Sequence, residues 1–180
     1  NGSAALLGTY ISVKDYEGTS MASAGMKGKG EHVLNIFHNP FTVEFHLYVP
    51  SGSTNDNQVI VQKKDANNHG FTMALSCSNF LTSPLGKVEL KSILSSGSNA
   101  ASSSVTLTKG KFYHIASMYD KYNAESVLTY VNGTLAASSS NLIISTLEGN
   151  TNPLVIGSGS AHPLPWENFA PKTTLSGAVD

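Results

Sequence analysis

The sequence predicts an all-β domain of antiparallel strands, closed either as a two-sheet sandwich or as a barrel. Three observations predict it. Runs that alternate apolar and polar residues recur between turn residues. Charged residues make up only 13% of the 180, and Ser, Thr, Asn and Gly stand where surface helices would carry Glu, Lys and Arg. No segment joins a helical apolar stripe to helix caps. Hydrophobic residues, at 40%, suffice for one sizeable core, so residues 1–180 are read as a single domain.

The elements follow in order. Thr9–Val13 alternates and reads as a strand, Gly18–Gly30 as loop, and Val33–Phe37 as a short strand. Phe41–Val49 is the clearest strand: Phe41, Val43, Phe45, Leu47 and Val49 share one face, and Thr42, Glu44, His46 and Tyr48 the other. Pro50-Ser51-Gly52 ends it. Gln58–Lys63 and Phe71–Cys77 flank a turn at Asn67-Asn68-His69-Gly70. Gly86–Ile93 and Ser104–Leu107 are strands, and the Ser-, Gly- and Ala-rich Leu94–Ser104 reads as the loop between them. Lys111–Tyr119 and Ser126–Asn132 form a pair, and Asn132-Gly133 is a strong turn signal. Leu142–Ser145, Leu154–Ile156 and Leu175–Val179 complete the strands, with a proline-rich ordered loop over 157–173. Roughly ten short strands with turns every 8–12 residues suit a sandwich or barrel.

Composition excludes several classes. A net charge of -1 gives no electrostatic case for nucleic acid or an anionic membrane. No apolar run approaches the ~20 residues of a membrane span. Cys77 is the single cysteine, so no intrachain disulfide or cysteine redox pair can form.

Five segments in order resemble motifs of laminin-G-like domains. They are Pro40-Phe41-Thr42-Val43-Glu44-Phe45, Gly110-Lys111-Phe112-Tyr113-His114 running into Tyr119-Asp120, Leu128-Thr129-Tyr130-Val131-Asn132-Gly133, Pro153-Leu154-Val155-Ile156-Gly157, and Leu175-Ser176-Gly177-Ala178-Val179-Asp180. The resemblance covers residues 40–180 and implies the concanavalin A-like jelly roll, an antiparallel two-sheet β-sandwich. Phe112 stands where the family commonly has Trp, and the last strand is cut short at Asp180, which leaves open a fragment, a processed chain, or completion of the strand by a neighbouring chain or homo-oligomer. The family also implies a structural calcium ion between the N-terminal segment and the last strand. Asp180 matches its last-strand aspartate, and Asp15 is put forward as the partner.

Several relatives of this fold are glycosidases, which need two carboxylates on neighbouring positions. The Glu-x-Asp-x-x-Glu segment of laminarinase-like relatives is missing, Glu44 and Glu89 stand alone on their strands, and Asp15 and Glu17 sit beside a glycine turn. Gly157-Ser158-Gly159-Ser160 does not make a nucleophile elbow, and no two of the six histidines have metal-ligand spacing. His114 reads as a packed strand histidine, and Glu44, His46 and Tyr48 as a solvated face or a shallow polar groove. The chain is therefore read as a non-enzyme.

For ligand recognition, Trp166, Glu167 and Asn168 form the first candidate, because sugars favour an aromatic face beside carboxylate and amide groups. Tyr119, Asp120 and Tyr122 form the second. Expected partners are a glycan or a surface protein, at an extracellular, cell-surface or virion location. The alternative is a structural or assembly domain of a virion, tail fibre or surface filament, suggested by the low charge and the exposed aromatic loop.

Overall fold

The computed structural model describes residues 10–13, 40–52, 56–76, 86–120, 127–139, 152–163, 168–172 and 174–180. Strands are numbered in chain order: β1 Ile11–Val13, β2 Phe41–Tyr48, β3 Gln58–Lys64, β4 Gly70–Ser76, β5 Lys87–Ser96, β6 Asn99–Thr108, β7 Phe112–Tyr119, β8 Val127–Val131, β9 Thr134–Ser138, β10 Leu154–Ile156, β11 His162–Pro163, β12 Asn168–Phe169 and β13 Ala178–Val179. One sheet has six strands in the order β1-β10-β3-β4-β5-β6, the other five in the order β13-β2-β7-β8-β9, and all pairings are antiparallel. No helix occurs among the described residues. The two sheets face each other, so the sandwich expected from sequence is the fold.

The alternation of β2 explains the layering. Phe45, Leu47 and Val49 are buried, while Glu44 and His46 are exposed. The inward residues meet Phe71, Met73 and Leu75 of β4 and Leu90 and Leu94 of β5, with Ile115 and Val127 completing the interior. Phe41, Phe71 and Tyr119 form an aromatic knot at one end; Phe41 and Tyr119 stack with centroids 4.5 Å apart. Asn132 and Gly133, at φ 52° and 79°, both take the left-handed conformation that a two-residue hairpin turn requires. Gly70 has φ 144°, and a Cβ there would lie 2.0 Å from the Lys63 carbonyl oxygen, so only glycine lets β3 and β4 close at this point.

One expectation is corrected. Leu94–Ser104 is not a loop: β5 and β6 pair without interruption from Lys87↔Thr108 to Ser96↔Asn99 around a turn at Gly97-Ser98. Serine and alanine have modest strand propensity, but pairing along a continuous partner overrides it. The interior is also not wholly apolar. Ser92 and Ser103 of one sheet meet Ser117 and Thr129 of the other, at 2.7 Å for Ser92–Ser117 and 2.7 Å for Ser103–Thr129. Each hydroxyl satisfies a neighbour, which removes the penalty of burying it. The proposed strands at Val33–Phe37 and Leu142–Ser145 lie outside the described residues, as does Cys77.

The six-stranded sheet is covered on its outer side as well. Residues 157–163 and 168–172 lie over it, and Phe169 is buried against Val59 and Ala74. This explains why every residue of β4 is buried.

Candidate functional site

The outer face of the five-stranded sheet remains open. Register places Asp180 opposite His46, His46 opposite His114, and Tyr48 opposite Phe112. Alternation turns all five side chains, with Glu44, away from the core. The Phe112 ring is 69% exposed and stacks on Tyr48 with centroids 4.7 Å apart. Beside this pair the His46 and His114 rings lie 5.2 Å apart, and His114 Nε2 contacts Glu44 Oε1 at 2.7 Å. Asn132 fixes the strand beneath: its Oδ1 accepts from the His114 amide at 3.0 Å, and its own amide donates to the His114 carbonyl at 2.8 Å. The result is an apolar ring flanked by imidazole and carboxylate groups on a rigid sheet.

His114 is therefore not packed in the core but half-exposed on this face, paired with Glu44. Sequence reading found Glu44, His46 and Tyr48 together on one face; it missed Phe112 and His114, whose alternation in β7 carried the signal. The β2–β7 register, which no local pattern supplies, brings the two sets together.

The other sequence candidates disperse. Tyr119 is buried in the aromatic knot, out of reach of any surface ligand. Its hydroxyl has no hydrogen-bond partner among the described residues, and burial pushes the phenol far above its usual range. Asp120 follows β7 and is half-buried. Trp166, Glu167, Tyr122 and Asp15 lie outside the described residues, and of Asn168 only the backbone, in β12, is described. Asp180 is exposed and exchanges backbone hydrogen bonds with His46 at 2.7 and 3.1 Å. Among the described residues no group of three His, Cys, Asp or Glu side chains is arranged to hold a metal ion. A calcium ion at Asp180 would need further oxygens from elsewhere in the chain.

A second feature is an apolar groove of about 480 Å³ between the sheets, lined by Phe41, Val43, Val61, Phe71, Leu154 and Ile156, among others. Its accessible wall is mainly apolar, with Thr42, Glu44, Lys63 and Asp180 also bordering it.

On the covered side, His162 is wholly buried. Its Nε2 lies 2.7 Å from Ser95 Oγ and its Nδ1 2.8 Å from Thr72 Oγ1. Ser95 donates to the Asn68 carbonyl, and Thr72 accepts from Gln62 Nε2 at 2.9 Å. These directions leave one consistent assignment: Nε2 carries the proton and donates to Ser95, and Nδ1 accepts from Thr72. Burial, with the Lys64 charge, lowers the His162 pKa to about 4. This histidine clamps residues 157–163 to the sheet.

Comparison with known proteins agrees with this architecture. A family model described as "Concanavalin A-like lectin/glucanases superfamily", of laminin-G type, matches residues 23–180. No curated protein matches. Among solved structures, the mouse laminin alpha1 chain, domains LG4-5, is similar with a TM-score of 0.55 at 11% identity, over 97% of this chain and 38% of that one. A chain described under "Prominent members of the human gut microbiota express endo-acting O-glycanases to initiate mucin breakdown" is 18% identical over 79% of this chain and 53% of that one. Its TM-score of 0.36 carries no argument. This chain spans less than two thirds of the length of either, and at such identities the likeness concerns the fold. No helix among the described residues is long and apolar enough to cross a membrane. Sheet order, strand motifs and family match together make this chain a member of the concanavalin A-like lectin/glucanases superfamily, in its laminin-G-like branch.

Proposed function

We propose that the domain is a non-catalytic extracellular recognition module that binds carbohydrate on the outer face of its five-stranded sheet. The observation that carries this reading is the exposed Phe112 ring, stacked on Tyr48 and flanked by His46, His114, Glu44 and Asp180. A pyranose presents an apolar C–H face to an aromatic ring, while its hydroxyls seek carboxylate and imidazole partners; the sheet offers both within one patch. The non-catalytic part is supported by the engagement of Glu44 with His114, which leaves it no second carboxylate as partner on β2. Trp166, Glu167 and Asn168 are proposed as a second contact, and calcium at Asp180 and Asp15 as a structural ion; both rest on the resemblance and on residue chemistry.

The test is titration against a broad glycan panel, with and without calcium. Phe112→Ala should weaken binding roughly tenfold while leaving the fold intact, because the ring is solvent-facing. Blank panels under both conditions, or unaltered affinity in the variant, would count against the proposal. The assembly-domain alternative draws support from one observation, the uncharged composition of β6 at the edge of the six-stranded sheet.

A further inference from the structure

A hollow of about 320 Å³ opens on the outer side of the six-stranded sheet, at the end away from β6. Register builds its floor. Ser12 pairs with Val155 and Val155 with Gln62, so Val155, Gln62 and Lys64 share the outward face of β10 and β3, with Tyr10 at the entry to β1. Residues 158–160 form one wall, and Gln62 pins it. Its Oε1 accepts from the Ser160 amide at 2.8 Å and the Ser160 hydroxyl at 3.2 Å. Its Nε2 donates to the Ser160 carbonyl at 3.1 Å and the Thr72 hydroxyl at 2.9 Å. Every donor and acceptor of that amide is thus committed to the protein. Asn152 and Pro153 form the opposite wall, and Asn152 Nδ2 donates to the Lys64 carbonyl at 2.7 Å.

Charge in the hollow is one-sided. Among the described residues its lining holds one cation, Lys64, and no carboxylate. The Lys64 ammonium donates to the Asp65 carbonyl at 3.3 Å and to Asn68 Oδ1 at 3.2 Å, both neutral oxygens. The Asp65 carboxylate next to it is engaged by the Asn67 and His69 amides and by the His69 ring. Burial lowers the Lys64 pKa, and the Asp65 charge opposes that only in part. A half-buried ammonium with a third N–H to give favours an anionic acceptor.

We propose that this hollow binds a small aromatic monocarboxylate, its carboxylate on Lys64 and its ring against Tyr10, Val155 and Pro153. The Tyr10 ring is 60% exposed and offers a flat face, and Val155 and Pro153 supply apolar surface beside it. The volume stands at the lower end of ligand pockets, which run from about 300 to 1,000 Å³, and so suits a single ring. A neutral sugar has no anion to offer Lys64, whereas the outer face of the five-stranded sheet carries Glu44 and Asp180 and disfavours one. The two sites therefore take different chemistry on opposite sheets, and this one is independent of the glycan reading.

Benzoate titrated into the intact chain, followed by NMR of the Val155 methyl groups, should saturate with a Kd of about 1 mM or below. Benzamide has nearly the same shape without the charge, and should bind at least about tenfold more weakly. Lys64→Met keeps the apolar stem, removes the ammonium and should weaken benzoate binding by about the same factor. Tyr10→Ala, at an exposed position, should cost about threefold. If Lys64→Met fails to fold, the comparison of benzoate with benzamide on the wild-type chain carries the test. Benzoate that does not saturate, equal affinity for benzamide, or undiminished binding in folded Lys64→Met would overturn the proposal.

Discussion

Replacing Phe71 with alanine lowers the unfolding free energy by about 3–5 kcal/mol, whereas the same change at Phe112 moves it by less than about 0.5 kcal/mol. The two residues are chemically identical, and only their place in the layers separates them. Phe71 is 1% exposed and contacts Phe41 and Tyr119 at centroid distances of 5.3 and 5.4 Å. Truncation removes the transfer free energy of the ring and leaves a cavity among side chains that cannot all relax. For a domain of this size the loss corresponds to a fall in melting temperature of roughly 10 °C. Thermal or urea unfolding of the two variants measures both effects. Equal losses at the two positions would mean that the layering is wrong.

Acidification should remove about 3 kcal/mol of stability through His162 alone. An unfolded histidine titrates near 6.5, and in the fold this one titrates at about 4. The fold therefore favours the neutral ring. Its contribution is complete above pH 6.5, declines as pH falls, and is fully lost below about 4. The chemical reason lies in the chain of donors: a proton on Nδ1 would face a Thr72 hydroxyl that already points its own hydrogen at that nitrogen. Asp65 adds a smaller loss of the same sign at lower pH. Burial would raise its pKa, but the His69 and Asn67 amides and the His69 ring outweigh burial and hold it down. Melting temperatures from pH 7.5 to 4 in wild type and His162→Gln separate the sources. The variant should be less stable at neutral pH and show a much flatter profile; an unchanged slope would remove His162 from the account.

The fold was legible in the sequence wherever alternation and turn chemistry agreed. Phe41–Tyr48 shows its buried and exposed faces residue by residue, and Asn132-Gly133 marks a turn that exists. Both strands of the β5–β6 hairpin were legible in part, but its turn end over Leu94–Ser104 was not, because its serines and alanines resemble loop, although four of the hydroxyls around that strand pair hold the two sheets together. The candidate site was half-legible. Same-strand neighbours such as Glu44, His46 and Tyr48 follow from periodicity, but their meeting with His114 and Phe112 depends on cross-strand register. Tyr119 misled for a related reason. Next to Asp120 at a strand end it reads as a loop residue, yet its place in β7 puts it on the inner face with Ile115 and Ser117.

Imidazole resonances report directly on which surface meets the ligand. Carbon-bound imidazole proton signals of His46 and His114, followed by NMR during titration with a glycan that binds, should shift together while those of the buried His162 stay fixed. Ligand binding that leaves His46 and His114 unmoved and perturbs His162 instead would place recognition on the opposite sheet and contradict glycan binding on the five-stranded one.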